Sequence, residues 1–122
     1  MRNGRYMSIE ELILNIKKHP RYNEVGMILC HSGVVRGTSR NGTPVTELMV
    51  RVNRQILDDI LAAIRNRQGI IEAFAEVREG TLKIGDDIMY VVVAGDFREN
   101  VFPAIQDAVN LIKHHVTEKT GV

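Results

Sequence analysis

The spacing of apolar positions changes several times along the chain, and each change marks a predicted element. Ile9, Leu12 and Ile16 recur at three and four residues behind Ser8 and Glu11, which have the spacing of a capping box. This predicts a short helix to about Lys18, ended by His19-Pro20. Val25 to Val35 is apolar enough for a strand, and Val45 to Val52 alternates, with Leu48, Val50 and Val52 inward and Glu47, Met49 and Arg51 outward. The turn-rich segment Arg36 to Pro44 between them suggests an antiparallel pair joined by a long mobile tip. Asn53 is placed to cap a helix carrying Ile56, Ile60, Leu61 and Ile64 on one stripe, with Gly69 as its stop.

Further along, Ile70 to Arg78 and Asp87 to Gly95 read as strands, with a short Leu82-Lys83-Ile84 piece between two glycine-containing turns. The run Ile88 to Ala94 is too short to cross a membrane and suits a buried strand. A last helix is predicted from near Asn100, with Phe102, Ile105, Val109, Ile112 and Val116 on its helical period and Pro103 tolerated in the first turn. The order helix, strand, strand, helix, strand, strand, helix predicts one α+β domain spanning 1–122, with a mainly antiparallel sheet and helices packed on it. No phosphate-loop or dinucleotide glycine motif occurs.

Composition narrows the function. The chain of 122 residues is long enough to bury one core without disulfides or a structural metal. Sixteen basic against fifteen acidic residues give a net charge of +1, and aromatics are 5%, so neither a nucleic-acid footprint nor a stacking platform is evident. Cys30, the single cysteine, excludes an internal disulfide, and its place in Met27-Ile28-Leu29-Cys30 predicts a buried core thiol. The basic residues Met1 to Arg5 are followed by Glu10 and Glu11, which does not fit a secretory signal, so a cytoplasmic protein is expected. His114 and His115 point about 100° apart on a helix and cannot easily share one ion, and no His/Cys spacing suits a metal, so none is expected.

Three cations are candidates for chemistry. Lys113 borders the apolar stripe of the last helix, where an ammonium can turn into a cleft and act on an anionic substrate, although the ordinary reading of such a lysine is a solvated partner of the helix dipole. Arg36 and Arg98 each follow a strand-like segment, where a guanidinium can grip a phosphate or carboxylate, or simply stand on the surface. Arg40 and the rest of its loop read as a flexible tip, since the spacing matches no phosphate-binding motif.

The segments Gly33-Val34-Val35-Arg36, Gly80-Thr81-Leu82-Lys83-Ile84-Gly85-Asp86, Arg98 with Phe102, and Lys113 together resemble the large, catalytic subunit of molybdopterin synthase over roughly Val25 to Lys113. The resemblance implies that family's α/β-hammerhead fold and a homodimer flanked by ubiquitin-like small subunits. In that family the Gly-Gly tails of the small subunits carry a thiocarboxylate into the large subunit. It implies sulfur transfer to cyclic pyranopterin monophosphate, forming the dithiolene of molybdopterin without a metal or bound organic cofactor. Carried over by residue, Lys113 and Lys119 would assist sulfur transfer, and Arg36 and Arg98 would hold the pterin phosphate or the incoming tail. The chain departs from the family pattern at Val77 and Phe97, where histidines are usual, and at Arg51 to Ile56, which replaces a Glu-x-Tyr-x-x-Met segment. Lys119 lies one place out of register with the family's second lysine. A non-catalytic relative that binds another small anion or a protein partner is the alternative.

Overall fold

The computed structural model describes residues 6–121; the basic residues Met1 to Arg5 lie outside that range. Helix α1 (Ile9–Lys17) starts at the expected capping box, with Glu11 N–H donating to Ser8 Oγ and Ser8 N–H to Glu11 Oε1, both at 3.1 Å. After a 3₁₀ turn at Tyr22–Glu24 come strand β1 (Met27–Val34), strand β2 (Glu47–Val52) and helix α2 (Arg54–Arg65). Strands β3 (Ile70–Val77), β4 (Gly80–Lys83) and β5 (Asp87–Gly95) follow, then helix α3 (Arg98–Leu111) and strand β6 (Thr117–Gly121). The class is α+β, and every strand pairing is antiparallel.

The strands form two three-stranded sheets, β1-β5-β3 and β4-β2-β6. The expected pairing of β1 with β2 is therefore corrected: the two strands belong to different sheets, and the connection between them crosses from one sheet to the other. The physical reason lies in β5. It is apolar on both faces, so it is stable only in the middle of a sheet covered on both sides, and it takes β1 as one neighbour and β3 as the other. Val92 and Ala94 pack with Leu12 and Ile16 of α1 on one face. Met89, Val91 and Val93 face the larger core built with Leu57, Leu61 and Ile64 of α2 and Val101, Ala104, Ala108 and Ile112 after it. Each fully buried valine, leucine or isoleucine in such a layer contributes about 1.5–3 kcal/mol.

Helix α2 runs as expected, with Ile56 N–H donating to the Asn53 side chain at 3.1 Å. It ends at Arg65 with Asn66 as its C-cap, short of the expected stop at Gly69; Gly69 instead makes the turn into β3, with φ +79° and the Asn100 and Asp96 side chains where a Cβ would stand. Helix α3 departs from expectation. It begins at Arg98, so Pro103 falls in its second turn rather than its first. Its buried residues are Val101, Ala104 and Ala108, each one place before the expected Phe102, Ile105 and Val109; Phe102 is left exposed and Ile105 and Val109 are partly buried, while Ile112 and Val116 beyond the helix are buried as expected. Cys30, expected in the core, is exposed because β1 is an edge strand and Cys30 alternates away from the large core. No helix among the described residues is long and apolar enough to cross a membrane.

Candidate functional site

Three backbone devices converge at one end of the first sheet. The first is the end of β1, where the register against β5 slips between Gly33, opposite Met89, and Val34, opposite Asp87. The slip turns Val35 inward, where its N–H donates to the Asp86 carbonyl at 2.9 Å, and sends Arg36 outward. Arg36 Nε donates to the Thr38 carbonyl at 3.0 Å, which fixes the guanidinium at the mouth of the loop. That loop is closed rather than open-tipped: Thr38 bridges Pro44, Ser39 N–H donates to the Thr43 carbonyl at 2.8 Å, and Val45 N–H to the Gly37 carbonyl at 2.9 Å. Gly42, at φ +88°, makes the tight reversal, and Arg40 is carried back over the end of the sheet.

The second device is the end of α3, which widens into a π-helical turn over Ile112–Val116. Ile112 and Val116 are buried, and Lys113, next to Ile112 in the turn, is exposed and lines the cleft. Asn53 N–H donates to the Val116 carbonyl at 2.9 Å and ties this turn to the start of α2. The third device is β6. Lys119 pairs with the fully buried Val50 of β2, and cross-strand partners share a face, so the Lys119 stem runs along the inner side while Glu118 faces out with Arg51.

The result is a cleft of about 440 Å³ lined by Gly33, Val34, Arg36, Arg40, Ile88, Met89, Lys113 and Lys119. It adjoins a second hollow of about 330 Å³ under the closed loop, which shares Arg36, Arg40 and Lys119. Neither is lined by a carboxylate, and among the described residues none of the four cations makes an ion pair. Burial, and then the neighbouring Lys113 ammonium, lower the pKa of Lys119 from the usual lysine value. The same two lysines act on His31 of β1, whose pKa is lowered first by burial, then by Lys113 and by Lys119. Uncompensated positive charge around an apolar floor is suited to holding an anion and to stabilising negative charge that develops on a bound carbonyl.

Of the residues singled out in the sequence, Arg36, Lys113 and Lys119 meet in this cleft. Arg98 does not. It stands at the first turn of α3 with an 80% exposed side chain, beside Glu99 at 3.3 Å. One cleft residue, Arg40, was missed, as was His31, whose ring stands next to the cleft residue Gly33. The paired Gly37 and Gly42 around Arg40 were the available sign that its loop closes tightly, whereas nothing in the one-dimensional pattern placed His31 near the lysines. His114 and His115 project on the far side of the π turn with ring centroids 6.3 Å apart, beside Arg51 and Arg54. Another hollow, of about 500 Å³, lies between α1, α2 and β3, but its arginine, Arg65, is already engaged by Glu72 at 2.6 Å and by the Ala73 carbonyl at 3.0 Å.

Fold and cleft together define a class: a two-sheet α+β domain with a cationic groove. The chain belongs to the MoaE protein family, whose model matches residues 5–115. That range contains Arg36, Arg98 and Lys113 and ends before Lys119. A probable molybdopterin synthase of Haloferax volcanii is 26% identical over 116 residues, covering 91% of this chain and 44% of that protein, so the chain spans less than half the length of this relative. Among solved structures, molybdopterin synthase from Staphylococcus aureus superposes with a TM-score of 0.75 at 19% identity, covering 97% of this chain and 86% of the other. The protein–protein complex of subunits 1 and 2 of the molybdopterin-converting factor from Helicobacter pylori gives a TM-score of 0.70 at 16% identity, with 95% and 79% covered. These similarities establish the fold.

Proposed function

We propose that this protein is a large subunit of molybdopterin synthase, acting in molybdenum cofactor biosynthesis by transferring sulfur from a thiocarboxylated small subunit to cyclic pyranopterin monophosphate. The observation that carries the reading is the meeting of Arg36, Arg40, Lys113 and Lys119 in one groove without a carboxylate among its lining residues. A pterin phosphate and a thiocarboxylate are both anionic and need directional cationic donors, which the two guanidinium groups supply. Lys113 is suited to stabilise the oxyanion that forms when the thiocarboxylate carbonyl is attacked or released, and Lys119, with its lowered pKa, to move a proton in the same step. The partner is a ubiquitin-like small subunit whose Gly-Gly tail is narrow enough to enter the groove; membership of the MoaE family and the likeness to a structure of a two-subunit complex support that partner.

Arg98 keeps a role in substrate binding only by reaching the groove of a second copy, which a homodimer allows because its side chain is exposed. We place the working protein in the cytoplasm, where Cys30, exposed on β1, would remain reduced. A second reading, binding without sulfur transfer, is favoured by the apolar side chains of Val77, buried in the core, and Phe97, 65% exposed, where the family pattern has histidines. The deciding experiment mixes the protein with a thiocarboxylated small subunit and cyclic pyranopterin monophosphate and measures molybdopterin beside a Lys113→Ala control. Product that vanishes in the control is expected. No product from folded protein, with a small subunit proven active on another large subunit, overturns the synthase reading in favour of the second.

A further inference from the structure

The closed loop beside the cleft carries one of the chain's two Asn-Gly pairs, Asn41-Gly42. Asn41 is exposed, and its side-chain oxygen accepts three hydrogen bonds: from Thr43 N–H at 3.2 Å, from Thr43 Oγ1 at 2.9 Å and from Ser39 Oγ. Thr43 N–H can only donate, which identifies the atom facing it as the carboxamide oxygen rather than the nitrogen. The bond from Thr43 N–H folds the side chain back along the chain, so that Asn41 Cγ and the Gly42 peptide nitrogen lie in one hydrogen-bonded ring. Gly42, at φ +88°, has no side chain to shield that nitrogen, and nothing lies within 4 Å of where a Cβ would stand. The Gly42 N–H donates to the Ser39 carbonyl at 2.9 Å. From Arg36 to Pro44 the loop holds two guanidinium groups and no carboxylate.

We propose that Asn41 is a site of spontaneous modification: the Gly42 nitrogen attacks the Asn41 carboxamide carbon, ammonia is lost, and hydrolysis leaves a negative charge beside the cationic cleft. In the first step the Gly42 nitrogen gives its proton to solvent and releases the Ser39 carbonyl, and its bond to Asn41 Cγ forms. The carboxamide nitrogen takes a proton from solvent and leaves as ammonia. Water then opens the cyclic imide at either carbonyl, giving aspartate or, with the backbone rerouted through the side chain, isoaspartate. The three donors on Asn41 Oδ1 hold the negative charge that develops on that oxygen during the attack, as an oxyanion hole does. Arg40, the preceding residue, favours the same charge. The product is the first carboxylate of the loop, one residue from an arginine that lines both hollows, so it competes with a bound anion for that guanidinium.

The effect on the cleft rests on the proposed anion site, whereas the chemistry at Asn41 does not. The whole chain is incubated at mildly alkaline pH, and peptide mapping by mass spectrometry follows the mass gain at Asn41 separately from that at Asn3-Gly4. The rate at Asn41 is expected to be no slower in the folded chain than in urea. It should fall in folded Thr43→Val, which loses one of the three donors, and be negligible in Asn41→Gln. Should Thr43→Val not fold, Ser39→Ala, which removes another donor, takes its place. Aged parent and Asn41→Asp should bind sulfate several-fold more weakly than fresh parent, and aged Asn41→Gln should bind as it does when fresh. A folded rate well below the rate in urea overturns the proposal, because the Gly42 bond to Ser39 would then be protecting the site, and so does a donor variant that reacts as fast as the parent. Modified protein that binds sulfate like fresh parent overturns the link to the cleft. Fresh parent that binds no sulfate refutes the anion cleft itself, and the mass measurement still decides the chemistry at Asn41.

Discussion

Replacing Arg40 by alanine tests the cleft at the residue least visible in the sequence. Its side chain lines both hollows, yet the backbone bonds that close its loop run between Ser39 and Thr43, Ser39 and Gly42, and Gly37 and Val45. Truncation should therefore leave the loop intact and keep stability within about 0.5 kcal/mol of the parent, as is usual for a surface change away from packing. Hydrogen bonds to a charged group are worth about 1.5–3 kcal/mol, and exposure at the rim places Arg40 at the lower end of that range. A loss of about 1.4 kcal/mol corresponds to tenfold in affinity. The assay is titration calorimetry with sulfate at fixed ionic strength, comparing Arg40→Ala, Arg36→Ala and Arg67→Ala. Arg67 is paired with Asp107 at 2.8 Å and lines neither hollow, so its variant should bind as the parent does. Arg40→Ala that binds within about twofold of the parent, or no worse than Arg67→Ala, would refute the assignment, since a screened charge of that kind contributes almost nothing.

Lys119 gives a pH prediction. Its folded pKa is lowered by burial and by Lys113, so between that value and the usual lysine range the unfolded chain binds more protons, and the charge penalty on folding, complete below the folded pKa, is lost as pH rises through this window. Denaturant midpoints should consequently rise across that alkaline window in the parent relative to Lys119→Met, while sulfate affinity of the parent falls as the ammonium is lost; a pH-independent difference between the two proteins would contradict the partial desolvation of this ammonium. Mixed chains test where Arg98 acts. If it serves the cleft of a second copy, co-expressed Arg98→Ala and Lys113→Ala chains should form molybdopterin at roughly a quarter of parental activity, because half the dimers are mixed and each holds one intact site. No recovery above the separate variants would confine Arg98 to its own surface.

The sequence by itself determined most local elements and the class. The Ser8/Glu11 capping box, the Asn53 cap, the apolar stripe of α2 and the doubly apolar β5 are encoded within a few residues of each other, and all appear where the pattern put them. It also singled out Arg36, Arg98 and Lys113 by their positions, and Lys119 only through resemblance. Tertiary structure alone decided the rest. Periodicity shows that β1 and β2 are strands but not which edge each takes, and the demand of β5 for two neighbours and two covered faces separated them into different sheets. The π turn and β6 escaped notice: Ile112 and Val116 lie four apart, a spacing that an ordinary α-helix satisfies as well, and the strand forms because β2 offers it an edge. Lys119 lines the cleft because the β6 register puts it opposite Val50, and Arg98 does not because α3 starts at the outer end of its sheet. Distance along the chain carries no information about which cations meet, since the groove is assembled from the end of β1, the closed loop, the π turn and β6, and only packing brings those four together.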